Sequence, residues 1–211
     1  MHIGLNRRFS LLRLVCNAIG YDVKISIPFS LILFRILYAS PVSFQETERY
    51  LELRNLRTSL IDKSLYLGWL RDVESNQFIE SARRDYSLSE LDAYIDSKLT
   101  APNVEFWGIF VNLDRFIGTV KLDPIDFESG SAWLGIMIGE VDQRGKGYGR
   151  SVLQQVSEYA LVSLKLKELY LGVHKDNLPA LNLYLKQGFE VIEANDFSFV
   201  MKKNLISPTE L

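Results

Sequence analysis

Residues 143–150 read Gln143-Arg144-Gly145-Lys146-Gly147-Tyr148-Gly149-Arg150, a composition that suits the holding of a diphosphate. Three alternating glycines let the backbone turn tightly and bring its N–H groups close to a ligand. A helical apolar stripe follows, so a helix N-terminus, worth about half a positive charge, points into the same place. Arg144, Lys146 and Arg150 add formal charge. Two better-known phosphate motifs fail on detail. A Walker A loop requires Gly-x-x-x-x-Gly-Lys-Ser/Thr, whereas Lys146 precedes Gly147 and position 140 is Glu140. In a dinucleotide fingerprint, Gly-x-Gly-x-x-Gly, the third glycine comes one residue later, and an acid stands near the end of the next strand. Here that strand ends at Val173-His174. A glycine-rich turn with solvated charges is the plain alternative.

The turn needs a strand before it and a helix after it, and the pattern supplies both. Ser131–Ile138 reads as a glycine-interrupted strand. Val152, Leu153, Val156, Tyr159, Ala160, Ser163 and Leu164 form a helical stripe closed by Lys165 and Lys167. Leu169, Leu171 and Val173 alternate as in a strand. Pro179–Lys186 is a short helix, entered through Pro179 and ended by Gly188. Phe189–Ile192 and Phe197–Met201 read as final strands. Upstream, Tyr50–Leu56 reads as a strand, Asp62–Asp72 as a helix, and Leu88–Leu99 as a helix capped by Ser87 or Ser89 with Glu90 behind. Phe106–Val111 and Arg115–Leu122 are two strands around a turn at Asn112–Asp114. Helices crossing between strands make a mixed α/β order.

With these elements in place, a resemblance can be stated. Arg144-Gly145-Lys146-Gly147-Tyr148-Gly149 resembles the Arg/Gln-x-x-Gly-x-Gly/Ala signature of the GCN5-related N-acetyltransferases (GNAT). Asn177-Leu178-Pro179-Ala180-Leu181-Asn182-Leu183-Tyr184-Leu185-Lys186-Gln187-Gly188-Phe189 resembles their Asn-x-x-Ala-x-x-x-Tyr-x-x-x-Gly-Phe signature. The likeness spans roughly residues 50–203. Leu53-Arg54-Asn55-Leu56 and Trp69-Leu70-Arg71-Asp72-Val73-Glu74 are similar to openings in the branch with ribosomal-protein and amino-sugar acetyltransferases. The resemblance implies an α+β fold with a mostly antiparallel central sheet flanked by helices. It implies acetyl transfer from acetyl-CoA to an amine, with no metal.

The resemblance also implies roles. Met137, Ile138 and Gly139 would pair through their backbone with the amide-rich pantetheine arm, as an unpaired strand edge can, and one of their N–H groups would hold the oxyanion. The amides of Arg144–Arg150 would take the diphosphate. Asn177 would reach the cofactor arm, although as a helix cap it needs no function. Tyr184 would protonate the departing thiolate; a packing tyrosine is the alternative. Classical members carry a glutamate base eleven residues ahead of the first signature residue, where this chain has Trp133. Asp123, Asp126, Glu128, Glu140 and His174 are candidates, each more simply read as a solvated charge. The short stretch after Phe189 favours a small-molecule amine, such as an amino sugar, over a peptide or ribosomal-protein N-terminus. The missing glutamate keeps a non-catalytic acyl-CoA-binding module open.

Composition sets outer bounds. The 211 residues carry 47% hydrophobic and 24% charged residues and a formal net charge of −2, an ordinary globular balance without a nucleic-acid footprint. One cysteine, Cys16, and two histidines, His2 and His174, exclude a disulfide framework and make a metal centre unexpected. This usage fits a cytoplasmic protein. Residues 1–45 form an appendage, 46–205 the transferase domain and 206–211 a tail. The appendage is basic, with a helical stripe of Phe9, Leu11, Leu12, Val15, Ala18 and Ile19. Ile25–Ser40 is interrupted by Pro28 and Arg35 and is shorter than the roughly 20 residues of a spanning helix; no export signal is read. Such apolar surface must be covered. Packing on the domain is expected, ahead of a homodimer contact or an anionic membrane surface.

Overall fold

The computed structural model describes residues 50–72, 78 and 86–205. The expectations for residues 1–45 and 206–211 lie outside the described residues. Seven strands form one sheet in the order β1-β2-β3-β4-β5-β7-β6. They are β1 Leu51–Asn55, β2 Glu105–Val111, β3 Arg115–Asp126, β4 Ser131–Ile138, β5 Glu168–His174, β6 Glu190–Ala194 and β7 Ser198–Asn204. Every neighbouring pair is antiparallel except β4 and β5, which run parallel. The described helices are α1 Lys63–Arg71, α2 Leu88–Thr100, α3 Tyr148–Val162 and α4 Leu178–Lys186. The mixed, mostly antiparallel sheet flanked by helices is the expected fold class.

Strand alternation divides the apolar residues between two faces. On β2, Trp107, Ile109 and Val111 enter a core with Ile117, Val120 and Leu122 of β3 and with Val152, Leu153, Val156 and Ala160 of α3. Phe106 and Phe110 point the other way, toward Leu67, Trp69 and Leu70 of α1 and Leu91 and Ile95 of α2. With both faces covered, β2 is a nearly continuous apolar run. Local chemistry fixes the helix starts. Asp62 caps α1 by accepting from the Leu65 N–H. Ser87, not Ser89, caps α2, in a reciprocal box with Glu90.

One strand runs further than expected. The expected strand ends at Leu122, yet β3 continues past Pro124, which cannot donate to a ladder, to Asp126. The register shifts between Leu122 and Ile125, so the exposed Pro124 is passed over and Ile125 returns to the core.

Candidate active site

β4 and β5 pair only over Ser131–Trp133 with Glu168–Tyr170. Beyond that rung β4 stays with β3 as far as Ile138, and β5 stays with β7 as far as His174. The two strands therefore separate, and a cleft of about 970 Å³ opens between them. Leu134–Ile138 line one wall and Gly172–His174 the other, with the 143–150 turn and α4 also contributing.

Backbone direction along β4 decides which groups face the cleft. The Gly139 N–H donates to the Ile117 carbonyl at 2.9 Å. A Cβ on Gly118 would lie 2.1 Å from the Met137 carbonyl oxygen, so that carbonyl faces β3. By antiparallel alternation, Ile136 and Ile138 turn their main-chain groups into the splay. The Ile138 carbonyl accepts from Arg144 Nε at 3.0 Å, which agrees. Of the expected trio Met137, Ile138 and Gly139, then, only Ile138 presents its backbone to the cleft. Ile136, which the motif spacing did not single out, joins it. Gly139 lies outside the lining, and a Cβ there would sit 2.0 Å from the Trp69 ring. Its lack of a side chain serves packing against α1.

The turn divides in the same way. Gly145 and Gly147 have φ of 71° and 87°, the left-handed region that favours glycine. A Cβ at either meets nothing within 4 Å, so the space over the turn is open. Gly147 caps α3 without a side-chain bond, which leaves first-turn N–H groups for a ligand. Gly149 has another reason: its Cβ would touch Leu183 Cδ2 at 3.0 Å, so it lets α3 and α4 approach. The Tyr148 ring is buried in the core, and its backbone belongs to the helix start. Arg144 ties the turn to β4 through the Ile138 and Gly139 carbonyls. Lys146 Nζ donates to Gln143 Oε1 at 3.2 Å and lies outside the lining. Arg150 is exposed and lines the cleft. An open cradle at a helix N-terminus beside an arginine fits the diphosphate of a coenzyme A thioester, and the splayed β4 edge fits its amides.

Asn177 caps α4 by accepting from the Ala180 N–H at 3.2 Å and also lines the cleft, so the two readings of it are compatible. Tyr184 lines the cleft as well. Burial alone pushes its phenol up to about 12. The group thus stays protonated near neutral pH and is available as a donor. A phenol that weakly acidic stabilises a thiolate by hydrogen bonding more readily than by complete proton transfer.

The candidate bases mostly have other employment. Asp123 is held by Lys98 at 2.7 Å and Lys121 at 2.8 Å. Asp126 accepts from the Glu128 and Ser129 N–H groups. Glu140 accepts from Trp69 Nε1 at 3.1 Å and Arg115 at 2.8 Å. Glu128 is exposed and away from the cleft lining. His174 does line the cleft, but its Nδ1 accepts from the Asp176 N–H at 3.2 Å. A neutral imidazole so bonded carries its proton on Nε2 and has no vacant acceptor there. Among the described residues no cluster of His, Cys, Asp and Glu could hold a metal ion, and no helix is long and apolar enough to cross a membrane.

A glycine cradle at a helix start, feeding a splay between two parallel strands of an otherwise antiparallel sheet, fits the cofactor of the acyl-CoA-dependent acyltransferases. Comparison with known proteins gives the family: residues 50–190 match the acetyltransferase (GNAT) domain, and the chain belongs to it. It is an acetyl-CoA-dependent N-acetyltransferase. The spermine/spermidine N(1)-acetyltransferase of Bacillus subtilis (strain 168) is 23% identical over 143 residues, 67% of this chain and 86% of that protein. The spermidine N(1)-acetyltransferase of Vibrio cholerae serotype O1 is 34% identical over 75 residues, 36% of this chain and 43% of that one. Among solved structures, spermidine N-acetyltransferase from Vibrio cholerae in complex with CoA and spermine superposes with a TM-score of 0.65 at 22% identity. It covers 74% of this chain and 95% of its own.

Proposed function

We propose that this enzyme acetylates the primary amine of a small molecule, with an amino sugar preferred over a polyamine. The observation that carries the reading is the β4–β5 splay, which opens beside the 143–150 cradle. In this reading the first-turn amides of α3 and Arg150 hold the diphosphate, and the main-chain groups of Ile136 hold a pantetheine amide. The Ile138 N–H stabilises negative charge developing on the thioester oxygen, an effect worth roughly 10²–10³ in rate. Tyr184 donates to the departing thiolate. Asn177 closes the cleft at the start of α4. Bound acetyl-CoA supplies the activated acetyl group; the chain supplies position and hydrogen bonds. With no carboxylate base in the described lining, the amine loses its proton to solvent.

The relatives named above act on spermidine or spermine, so a polyamine is the competing acceptor. Among the described residues the cleft lining holds no aspartate or glutamate to receive a polycation, which favours a different one. Asp123 is paired with two lysines, and Glu168 with Lys202 at 3.0 Å and the Tyr170 hydroxyl at 2.5 Å, so neither is left to receive a polycation. A protein N-terminus as acceptor is the second alternative, and an acyl-CoA-binding module without turnover the third. Acetyl-CoA incubated with amino sugars, polyamines and short peptides, read by mass spectrometry and by thiol release, separates them. Thiol release with no acetylated product from any amine sinks the transferase reading.

A further inference from the structure

Trp133 is 43% exposed, whereas Trp69 and Trp107 are 6% and 7% exposed. It is not loose: its ring stacks on Tyr170, with centroids 5.8 Å apart and planes 30° apart. Trp133 and Tyr170 are also the last rung of β4–β5 pairing before the strands separate. Alternation sets the residues that follow on this face, namely Gly135 and Met137 on β4 and Gly172 and His174 on β5. Met137 packs toward α1 and α2, which identifies the face. A Cβ on Gly172 would meet nothing within 4 Å, and one on Gly135 would meet only the Lys121 side chain. Both glycines line the cleft. An aromatic platform, itself just outside the cleft lining, thus stands at the outer end of a short strip of Gly135 and Gly172, with the Lys121 side chain beside Gly135, and the strip leads into the splay.

We propose that the Trp133–Tyr170 pair is the acceptor subsite, binding the flat apolar face of a ring on which the reacting amine is borne. The proposal rests on the small-molecule N-acetyltransferase reading. Ile136, where the backbone first turns into the splay, is three residues along β4 from Trp133, roughly 10 Å of extended strand. A ring lying on the indole and reaching across Gly135 and Gly172 spans that gap. Among the described residues, the charges beside this face include Lys98, Lys121 and Lys202 with Asp123 and Glu168, and both carboxylates are ion-paired. With those carboxylates paired, the flat indole face itself is the contact on offer, and it matches a ring, sugar or aromatic, better than an extended flexible chain. Trp133 also occupies the place where classical relatives carry their glutamate base, so a position that serves proton transfer in those enzymes serves recognition in this one.

The test uses the full chain with saturating acetyl-CoA and four acceptors: glucosamine, UDP-glucosamine, tyramine and spermidine. For an acceptor that carries a ring, Trp133→Ala is expected to lower kcat/KM roughly 10-fold through KM. Trp133→Phe should recover part of that loss, and spermidine should lose less than any ring acceptor. The Kd for coenzyme A stays at the parental value. Acrylamide quenching of tryptophan emission gives a readout without turnover, because Trp133 is the exposed tryptophan: a ring acceptor protects the parent and leaves Trp133→Phe unchanged. A larger loss with the sugars assigns a pyranose, and a larger loss with tyramine an aromatic ring. Equal losses for spermidine and the ring amines, or an unchanged KM for the ring amines in Trp133→Ala, overturn the platform. A parent protein that acetylates none of the four overturns the small-molecule acceptor reading beneath it.

Discussion

Gly147→Asp is the sharpest perturbation of the cradle, because its effects on folding and on binding separate. Gly147 has φ 87°, and a non-glycine residue in that region costs about 1–2 kcal/mol. Aspartate tolerates it better than most residues, and its charge at the start of α3 returns about 0.3–1 kcal/mol through the helix dipole. A side chain at this position meets nothing within 4 Å. The variant is therefore expected to fold with little loss. Binding is another matter, since the open space is where the diphosphate lies. One carboxylate about 4 Å from one phosphate charge costs at least about 1 kcal/mol even at the dielectric of water, and two such charges about 2 kcal/mol. That is roughly 30-fold in Kd. The parent at a coenzyme A concentration 100 times Kd gains about 2.7 kcal/mol, or about 5–11 °C in Tm for a domain of this size. Thermal melts with and without coenzyme A cancel the backbone strain, which is common to both. Gly147→Asn, matched in shape and uncharged, isolates the electrostatic part. A full coenzyme A shift in Gly147→Asp would refute the placement of the diphosphate.

Three further outcomes are expected. Tyr184→Phe lowers kcat roughly 10- to 100-fold, the value of one hydrogen bond to a charged group, while the coenzyme A Kd from calorimetry stays put; an unchanged kcat returns Tyr184 to packing. The Tyr184 phenol is pushed up to about 12 by burial against about 10 when unfolded, so its neutral form stabilises the fold fully below pH 10. That contribution fades as pH rises from 10 through 12, and Tyr184→Phe should lose less stability than the parent in alkaline denaturant titrations. Gly139→Ala places a methyl 2.0 Å from the Trp69 ring and is expected to cost about 1–3 kcal/mol by overpacking; a variant as stable as the parent in urea melts would show that α1 yields freely.

The sequence by itself determined what depends on neighbours along the chain. The 143–150 turn was legible because tight turning needs glycine and the following stripe has a helical period. Strand and helix order was legible from periods of two and of three to four residues, and Ser131–Ile138 falls where that pattern put it. The caps at Ser87 and Asn177 are short-range hydrogen bonds that spacing reveals. What tertiary structure decided is which face and which partner each residue meets. Glycines look alike in a sequence. In the fold, Gly145 and Gly147 are held open toward the cleft, Gly139 is bare because of Trp69, Gly118 because of the Met137 carbonyl, and Gly149 because of Leu183. The choice of Ile136 and Ile138 over Met137 and Gly139 follows from the hydrogen-bond phase of β4 against β3, which a one-residue slip would invert. Trp133 carried only the mark of an absent glutamate. Its meaning came from Tyr170, 37 positions away in the chain and brought beside it by the short parallel pairing of β4 with β5, a contact that no local period encodes.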